Sequence, residues 1–594
     1  MIGDAHRMPR LNPLRTAPQP RQLQRACPPR RRHQRRHRLL CLWLAASLAV
    51  GLVTPLQAQG TPPSTVRLPS LGESASDEFN LSQEKRIGEQ VMREIRRDPA
   101  YLDDPELLDY AQSLWWPLVQ AARRNGNIGG DTERLFPYEL FLVRDRSVNA
   151  FALPGGYVGL HLGLLAITST PDELASVLGH ELSHVTQRHI ARSIAASSRA
   201  STLSLAAMLL GLLVASRTSS ADAAQAAIAG GQAAMVQAQL NFSRDMEREA
   251  DRSGLALMTD AGFAPAGMPA MFDKLDAASR LNDRGGFPYL RSHPLTIDRI
   301  GEARQNVQAS GAAATPPPAP LLHRLMQGRA RVLMDPSATA LRRLQDFDAR
   351  ANQAEFSVAD RLAALYTSAL ASGLLRDFAR ADQAMAAALS LLAQLAQPDP
   401  PARRALARLA VYLALARGDM ASASAAMAAA TASATRDGAS ASATRDAASA
   451  TMAAASASAS DGARASLLLQ ADWALAEGSP AALKRSAEAL QTWVAGQRDD
   501  ASAWQLLGQT ADRQGQPLRA VRAAAEAQAA LGNLAGAIDR LRAGQRLVRQ
   551  GGAAVDFIEA SVIDARLRDL LAQRRQLIAD ERRAGERPRD EKLD

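Results

Sequence analysis

The chain has 594 residues, of which 47% are hydrophobic, 22% charged and only 4% aromatic, with a mean hydropathy of −0.17. These values exclude a polytopic membrane protein, a collagen-like chain and a wholly disordered one, and the length suits about two to four domains. The net charge of +10 suggests a nucleic-acid partner until it is located: eleven Arg and one Asp fall in residues 1–38, leaving 59 basic and 59 acidic residues elsewhere. A neutral body has no basic footprint, so nucleic acid is not an expected partner.

The N-terminus reads as an address. Arg30 to Arg38 (RRRHQRRHR) precedes fifteen uncharged residues from Leu39 to Val53, and the run ends at the small residue Ala58. A basic stretch, a short apolar stretch and a small-residue cleavage point describe a secretory signal peptide over residues 1–58, and therefore export to a periplasm. Fifteen apolar residues are few for a membrane span. Both cysteines, Cys27 and Cys41, lie inside this segment, so the exported form would have no thiol or disulfide chemistry.

Residues 59–80 are Pro/Ser-rich and then acidic, a flexible leader. Helical patterning begins near Leu81, with Ser82 as candidate cap. Asp104-Pro105 opens a second helix with a cap followed by proline. Tyr138 to Val143 has strand character. Asn149–Leu153 and Tyr157–Leu162, separated by Pro154-Gly155-Gly156, read as two strands and a turn. Thr170-Pro171-Asp172-Glu173 is a capping box, and the helix it starts is expected to run past His189. Residues 200–243 are Ala-rich and nearly uncharged. Within them, 203–214 is strongly apolar, either a buried helical hairpin or a segment that covers the cleft or touches a membrane surface. A further helix is expected over Arg244 to Thr259. Ala312 to Pro320 (AAATPPPAP) lies in a linker spanning 311–335.

From residue 336 to 594 the chain is Ala/Leu/Arg-rich and helical. Trp504-x-x-Leu507-Gly508 followed by Ala520 and Ala527 has tetratricopeptide spacing, although Ala511 and Ala524 stand at the aromatic positions. Such helix pairs bury their apolar stripes by stacking, so a solenoid is expected, with an irregular bundle as the alternative. Gly418-Asp419 and Gly532-Asn533 mark inter-helix turns. Residues 421–463 are Ala/Ser/Thr low complexity, either disordered or an Ala-rich helix.

The chemistry sits in His180-Glu181-Leu182-Ser183-His184. Residues four apart on a helix are separated by about 40°, so two imidazoles reach one metal ion. Glu181 stands beside them, placed to act on a water instead of ligating. His189 is about 180° round the same helix from His180, a surface or packing residue. A zinc hydrolase needs a third protein ligand and an open fourth position. Glu247 and Asp251 in RDMEREAD are again four apart on one face, while Glu249 points away. A carboxylate from this second helix would be the third ligand.

These residues resemble a family. NAFALPGGYVGLHLGLL, HELSH, SRDMEREADRSG and RSHPLTIDRI together are similar to the gluzincin metallopeptidases that include the CAAX prenyl protease and the heat-shock protease HtpX. The resemblance covers residues 70–310 and implies a zincin-like α+β domain over 81–310, in a mainly α protein whose C-terminal part is a TPR-like solenoid. It implies one Zn2+ per chain held by His180, His184 and Glu247, with Glu181 as catalytic base and Asp251 as proton donor. His293 in Ser292-His293-Pro294 has two readings: a fourth ligand that restrains the protease, or a cap for the following helix. With the signal peptide and the repeats, the resemblance implies a periplasmic endopeptidase. It would act on unfolded or misassembled outer-membrane proteins and meet the β-barrel assembly machinery through its repeats. The alternatives are a chaperone-like scaffold with a silent protease site and an intramembrane protease, which the lack of a long apolar span argues against.

Overall fold

In a computed structural model the described residues are 80–196, 243–281, 288–313, 315–351, 355–442, 462–551 and 556–583, all in one compact unit, Pro69–Asp594. The expected signal peptide, residues 59–79 of the expected leader, the apolar run 203–214 and residues 443–461 of the low-complexity stretch lie outside the described residues. The fold is mainly helical, with one small sheet inside a zincin-like body and a helical solenoid after it.

The body begins with α1 (Leu81–Ile95). Its cap is Asn80, whose side chain accepts from the Gln83 amide while Gln83 reaches back; the expected cap Ser82 is already inside the helix. After β1 (Tyr101–Leu102), α2 (Pro105–Arg124) starts at Asp104, which accepts from the Leu107 amide, with proline at the first helical position. Next come α3 (Gly130–Leu135), β2 (Glu139–Val143), β3 (Ala150–Leu153) and β4 (Tyr157–His161). Sheet order is β1-β2-β4-β3: β2 and β4 are parallel, and β3 pairs antiparallel with β4 from Ala150↔Leu160 to Leu153↔Tyr157. The turn of this hairpin uses Gly155 and Gly156 at φ 78° and 92°, which side chains rarely adopt. Thus β4 is internal and β3 is the edge, lying against the helix that carries HELSH.

That helix, α5 (Pro171–Thr186), follows the short α4 (Leu162–Ile167) and is capped by Thr170. It is buried almost throughout, from Asp172 to Val185. It does not run past His189. It ends at Thr186, Arg188 turns back at φ 52°, and a separate helix, α6 (His189–Ala196), begins. α7 (Arg244–Asp260), the expected second motif helix, packs along α5. α8 (Gly267–Leu281), α9 (Tyr289–Ser292) and α10 (Ile297–Ala309) complete the body.

The expected linker 311–335 is shorter than its composition suggests. Leu321–Leu333 forms α11, whose Leu325, Met326, Ala330 and Val332 join the body's main core. The Gln327 amide donates to the Thr168 carbonyl, and His323 Nδ1 meets Tyr110 Oη at 2.5 Å. That core continues through helices 358–374, 378–393 and 400–417, so no break separates body from solenoid there. The low-complexity stretch is helical as far as it is described, over Met420–Ser442. The tetratricopeptide-like spacing falls on the pair Ala501–Arg513 and Pro517–Ala530. Trp504 and Leu507 are buried between them, and a Cβ on Gly508 would stand 3.3 Å from the Ala520 carbonyl oxygen. Gly418 and Gly532, at φ 79° and 73°, turn between helices as expected.

The solenoid is fastened to the body by charge. Arg464 forks onto Asp103 at 2.7 and 2.8 Å and onto Asp500 at 2.7 and 2.8 Å. Arg408 pairs with Glu106, and within the body Arg329 of α11 forks onto Asp104 at 2.7 Å twice. The helix Ala463–Glu477 starts at Gly462, which has no side chain to cap it. Asp109 of α2 does so instead, accepting from the Ala465 amide at 3.0 Å.

Candidate metal centre

Four side chains from three elements converge beside the sheet: His180 and His184 from α5, Glu247 from α7, and His293 at the C-terminal end of α9. One potential ligand atom from each lies within 4.8 Å of all the others, and all four residues are buried. Nε2 of His180 and Nε2 of His184 stand 3.0 Å apart. Glu247 Oε2 is 3.5 Å from the first and Oε1 is 3.5 Å from the second. His293 Nδ1 is 3.3 Å from His180 Nε2 and 3.0 Å from Glu247 Oε1.

This spacing fits a metal. Ligands about 2.0–2.1 Å from a tetrahedral zinc stand about 3.3 Å apart. Imidazole nitrogens facing a carboxylate in a dry site are an arrangement that a shared cation would satisfy. The donor set, three nitrogens and a carboxylate oxygen, is one that suits zinc and its neighbours. The structure thus brings together all three expected ligands and the proposed fourth one. His293 does not cap the helix after Pro294, because α10 starts at Ile297 with Thr296 as cap. Instead, the His293 ring stacks on Tyr289 at 4.8 Å and 28° and turns inward.

The electrostatics follow from burial and neighbours. Burial pulls the His180 imidazole down, but Asp251 and Glu247 outweigh it and hold it up at about 9. Burial, together with the charges of His180 and His293, pushes His184 well below its ordinary value. Burial opposes the ionisation of Glu247, yet His293 and His180 hold it far below the usual carboxylate range.

Glu181 is buried and neither of its oxygens accepts a hydrogen bond from a described residue; His293 Nε2 lies 3.5 Å from Oε1. A carboxylate left without donors is costly in a fold and suits a group that works on a water or a substrate. Asp251, expected as a proton donor, stands behind the His180 ring. Its Oδ1 is 2.9 Å from His180 Nδ1, on the side of the ring away from the ligand cluster, and both oxygens are bonded to Arg299 at 2.6 and 2.7 Å. Burial opposes its ionisation, but Arg299 and His180 hold its carboxyl below the usual range.

Arg299 was not singled out by sequence reasoning. It is buried, bonds Asp251, meets Glu247 Oε2 at 2.7 Å through Nη1, and lies over the Phe272 ring at 5.3 Å. His189, expected as a surface or packing residue and not a ligand, is fully buried outside the ligand cluster, with its Nδ1 2.9 Å from His184 Nδ1. Glu249 does point away from the cluster and pairs with His189 and Arg192.

Comparison with known proteins agrees with this geometry. Residues 120–307 match the model of peptidase family M48. The chain is 38% identical over 270 residues to a putative beta-barrel assembly-enhancing protease of Vibrio cholerae, covering 46% of this chain and 52% of that protein. It is 34% identical over 261 residues to the beta-barrel assembly-enhancing protease of Escherichia coli strain K12, covering 44% and 50%. It is 27% identical over 244 residues to the E. coli metalloprotease LoiP, covering 41% and 88%. The chain thus spans about half the length of the first two relatives. The matched segment holds all four clustered side chains, and residues 120–307 form a metallopeptidase domain of family M48.

Proposed function

We propose that the chain is an exported, zinc-dependent endopeptidase that acts on misfolded or stalled outer-membrane proteins in the periplasm and assists their assembly. One observation carries the catalytic part: the paired Nε2 atoms of His180 and His184 and the Glu247 carboxylate stand at the mutual spacing of zinc ligands. The relatives' names, with their reference to β-barrel assembly, support the substrate class. No helix among the described residues is long and apolar enough to cross a membrane.

In this reading His180, His184 and Glu247 hold Zn2+, which when bound supplies a Lewis acid for the scissile carbonyl. Glu181 takes the proton of the attacking water and passes it to the leaving amine. Asp251, fixed by Arg299, keeps the His180 ring turned toward the centre. β3 is the sheet edge against α5, so an extended, unfolded polypeptide would pair with it as an added strand. The solenoid would carry the contact with the assembly machinery on its concave face.

With His293 as a fourth ligand no open position would be left for a substrate carbonyl, so it would restrain the protease until displaced. This favours a second mode in which the chain serves as a scaffold while its centre is closed. The test is zinc content and casein cleavage by the purified chain beside Glu181→Gln and His293→Ala. About one zinc per chain, with cleavage lost in Glu181→Gln, supports the reading; no bound zinc, or equal cleavage by that variant, overturns it. Cleavage should rise in His293→Ala, and an unchanged or lower rate ends the restraint idea.

A further inference from the structure

We infer that His189 and Glu249 form an outer arm of the metal centre, holding the His184 ring by its far edge so that Nε2 is aimed at the ion. The inference rests on the zinc reading above and concerns positioning residues, since neither side chain joins the ligand cluster.

The arm begins with a backbone reversal. α5 stops at Thr186, and Arg188 adopts φ 52°, a conformation that costs a non-glycine residue about 1–2 kcal/mol. Arg188 is held there by Glu84 of α1, whose Oε2 accepts from its Nε at 3.0 Å. The reversal carries His189 back beneath α5, where its side chain is fully buried. Continued as helix, the chain would have placed it on the opposite face from His180.

The contacts then follow from tautomer logic. His184 Nε2 faces His180 and Glu247, so a ligating His184 keeps its lone pair there and its proton on Nδ1. That Nδ1–H lies 2.9 Å from His189 Nδ1 and donates to it. The His189 proton must then sit on Nε2, which lies 3.2 Å from Glu249 Oε2 and donates in turn. Glu249 also accepts from Arg192 at 3.1 Å. Donation runs one way from His184 through His189 to Glu249, and Arg192 donates to the same carboxylate from the other side. The arm mirrors that on the other ring, where Asp251 takes the Nδ1 edge of His180. α7 therefore supplies one ligand, Glu247, and an outer carboxylate for each histidine ligand. Such partners fix a ligand's tautomer and orientation and raise its basicity.

The test is the zinc dissociation constant of the full chain, measured by chelator competition from the metal-free protein. Wild type is compared with His189→Ala, His189→Asn and Glu249→Gln, with the unfolding midpoint of each metal-free form recorded. Alanine should weaken zinc binding about ten- to hundredfold, while asparagine, whose Oδ1 can accept at the Nδ1 position, should recover most of the loss. Equal metal-free midpoints for the two variants would then place the effect on the ligand. An alanine variant within about twofold of wild type overturns the inference, as does an asparagine variant just as weak at the same midpoint. If His189→Ala yields no folded protein, Glu249→Gln, at a half-exposed position, decides: weaker zinc binding supports the arm and unchanged binding overturns it. A wild-type chain that takes up no zinc is a different result, which defeats the zinc reading itself.

Discussion

Gly179 and Gly254 face each other where α5 crosses α7, one residue before His180 and three after Asp251. A Cβ on Gly254 would lie 2.9 Å from the His180 amide nitrogen, and one on Gly179 would lie 3.1 Å from the Gly254 carbonyl oxygen. The two motif helices therefore touch backbone to backbone, and this contact sets how far Glu247 stands from the two rings. Gly254→Ala should force the helices apart at a cost of about 1–3 kcal/mol and lower zinc occupancy. Denaturant unfolding and metal content of the purified variant check this; a variant matching wild type in both would show that the crossing does not set the ligand spacing.

Glu181→Gln separates chemistry from architecture. The glutamine keeps the shape and removes a buried charge that no described residue hydrogen-bonds. Peptide cleavage should fall by at least about a hundredfold, while zinc affinity stays within measurement error and the unfolding midpoint stays or rises. Steady-state cleavage, chelator competition and thermal unfolding together decide.

Arg299 neutralises two buried carboxylates, Asp251 and Glu247. Arg299→Met should destabilise the metal-free protein by about 3–5 kcal/mol, because it leaves both charges buried and one guanidinium short. Adding Asp251→Asn to Arg299→Met should return part of that loss. A double variant no more stable than the single one, by denaturant midpoint, would mean that the guanidinium matters through its packing on Phe272.

Asp109 gives a pH signature. Burial pushes its carboxyl up to about 7 from the ordinary 3.8, against the lowering effect of the Ala465 amide. The folded chain therefore keeps a proton that the unfolded chain has released, and stability falls as pH rises from about 4 to about 7. Asp109→Asn should flatten this fall by up to about 1.4 kcal/mol per pH unit. Denaturant unfolding at several pH values across that window measures it, and parallel curves for the two proteins would contradict it.

Some of this was readable in the residues alone because the rules involved are local. Two histidines four apart on a helix share a face whatever surrounds them, and the same holds for Glu247 and Asp251. The Pro-Gly-Gly turn announced its hairpin, and Asp104 and Thr170 announced their helices. The outer partners were not readable. Arg188 carries no mark of a left-handed turn, so His189 was assigned to a continuing helix and to the wrong side of it. Arg299 looks like any arginine on a polar helix until α7 and α10 are seen to pack. The proline-rich stretch near residue 315 was real, but the apolar face of α11 behind it was overshadowed by that composition. Asp251 was placed on the correct face, and only the position of Arg299 reveals that its oxygens are already engaged.

The borrowed cap at Ala465 ties assembly order to architecture. Asp109 and Ala465 lie 356 positions apart in the chain, yet the opening turn of that helix is finished only when they meet. The body thus completes the first turn of a helix that belongs to the repeat region. The same helices grafted onto a foreign body would begin with a frayed end.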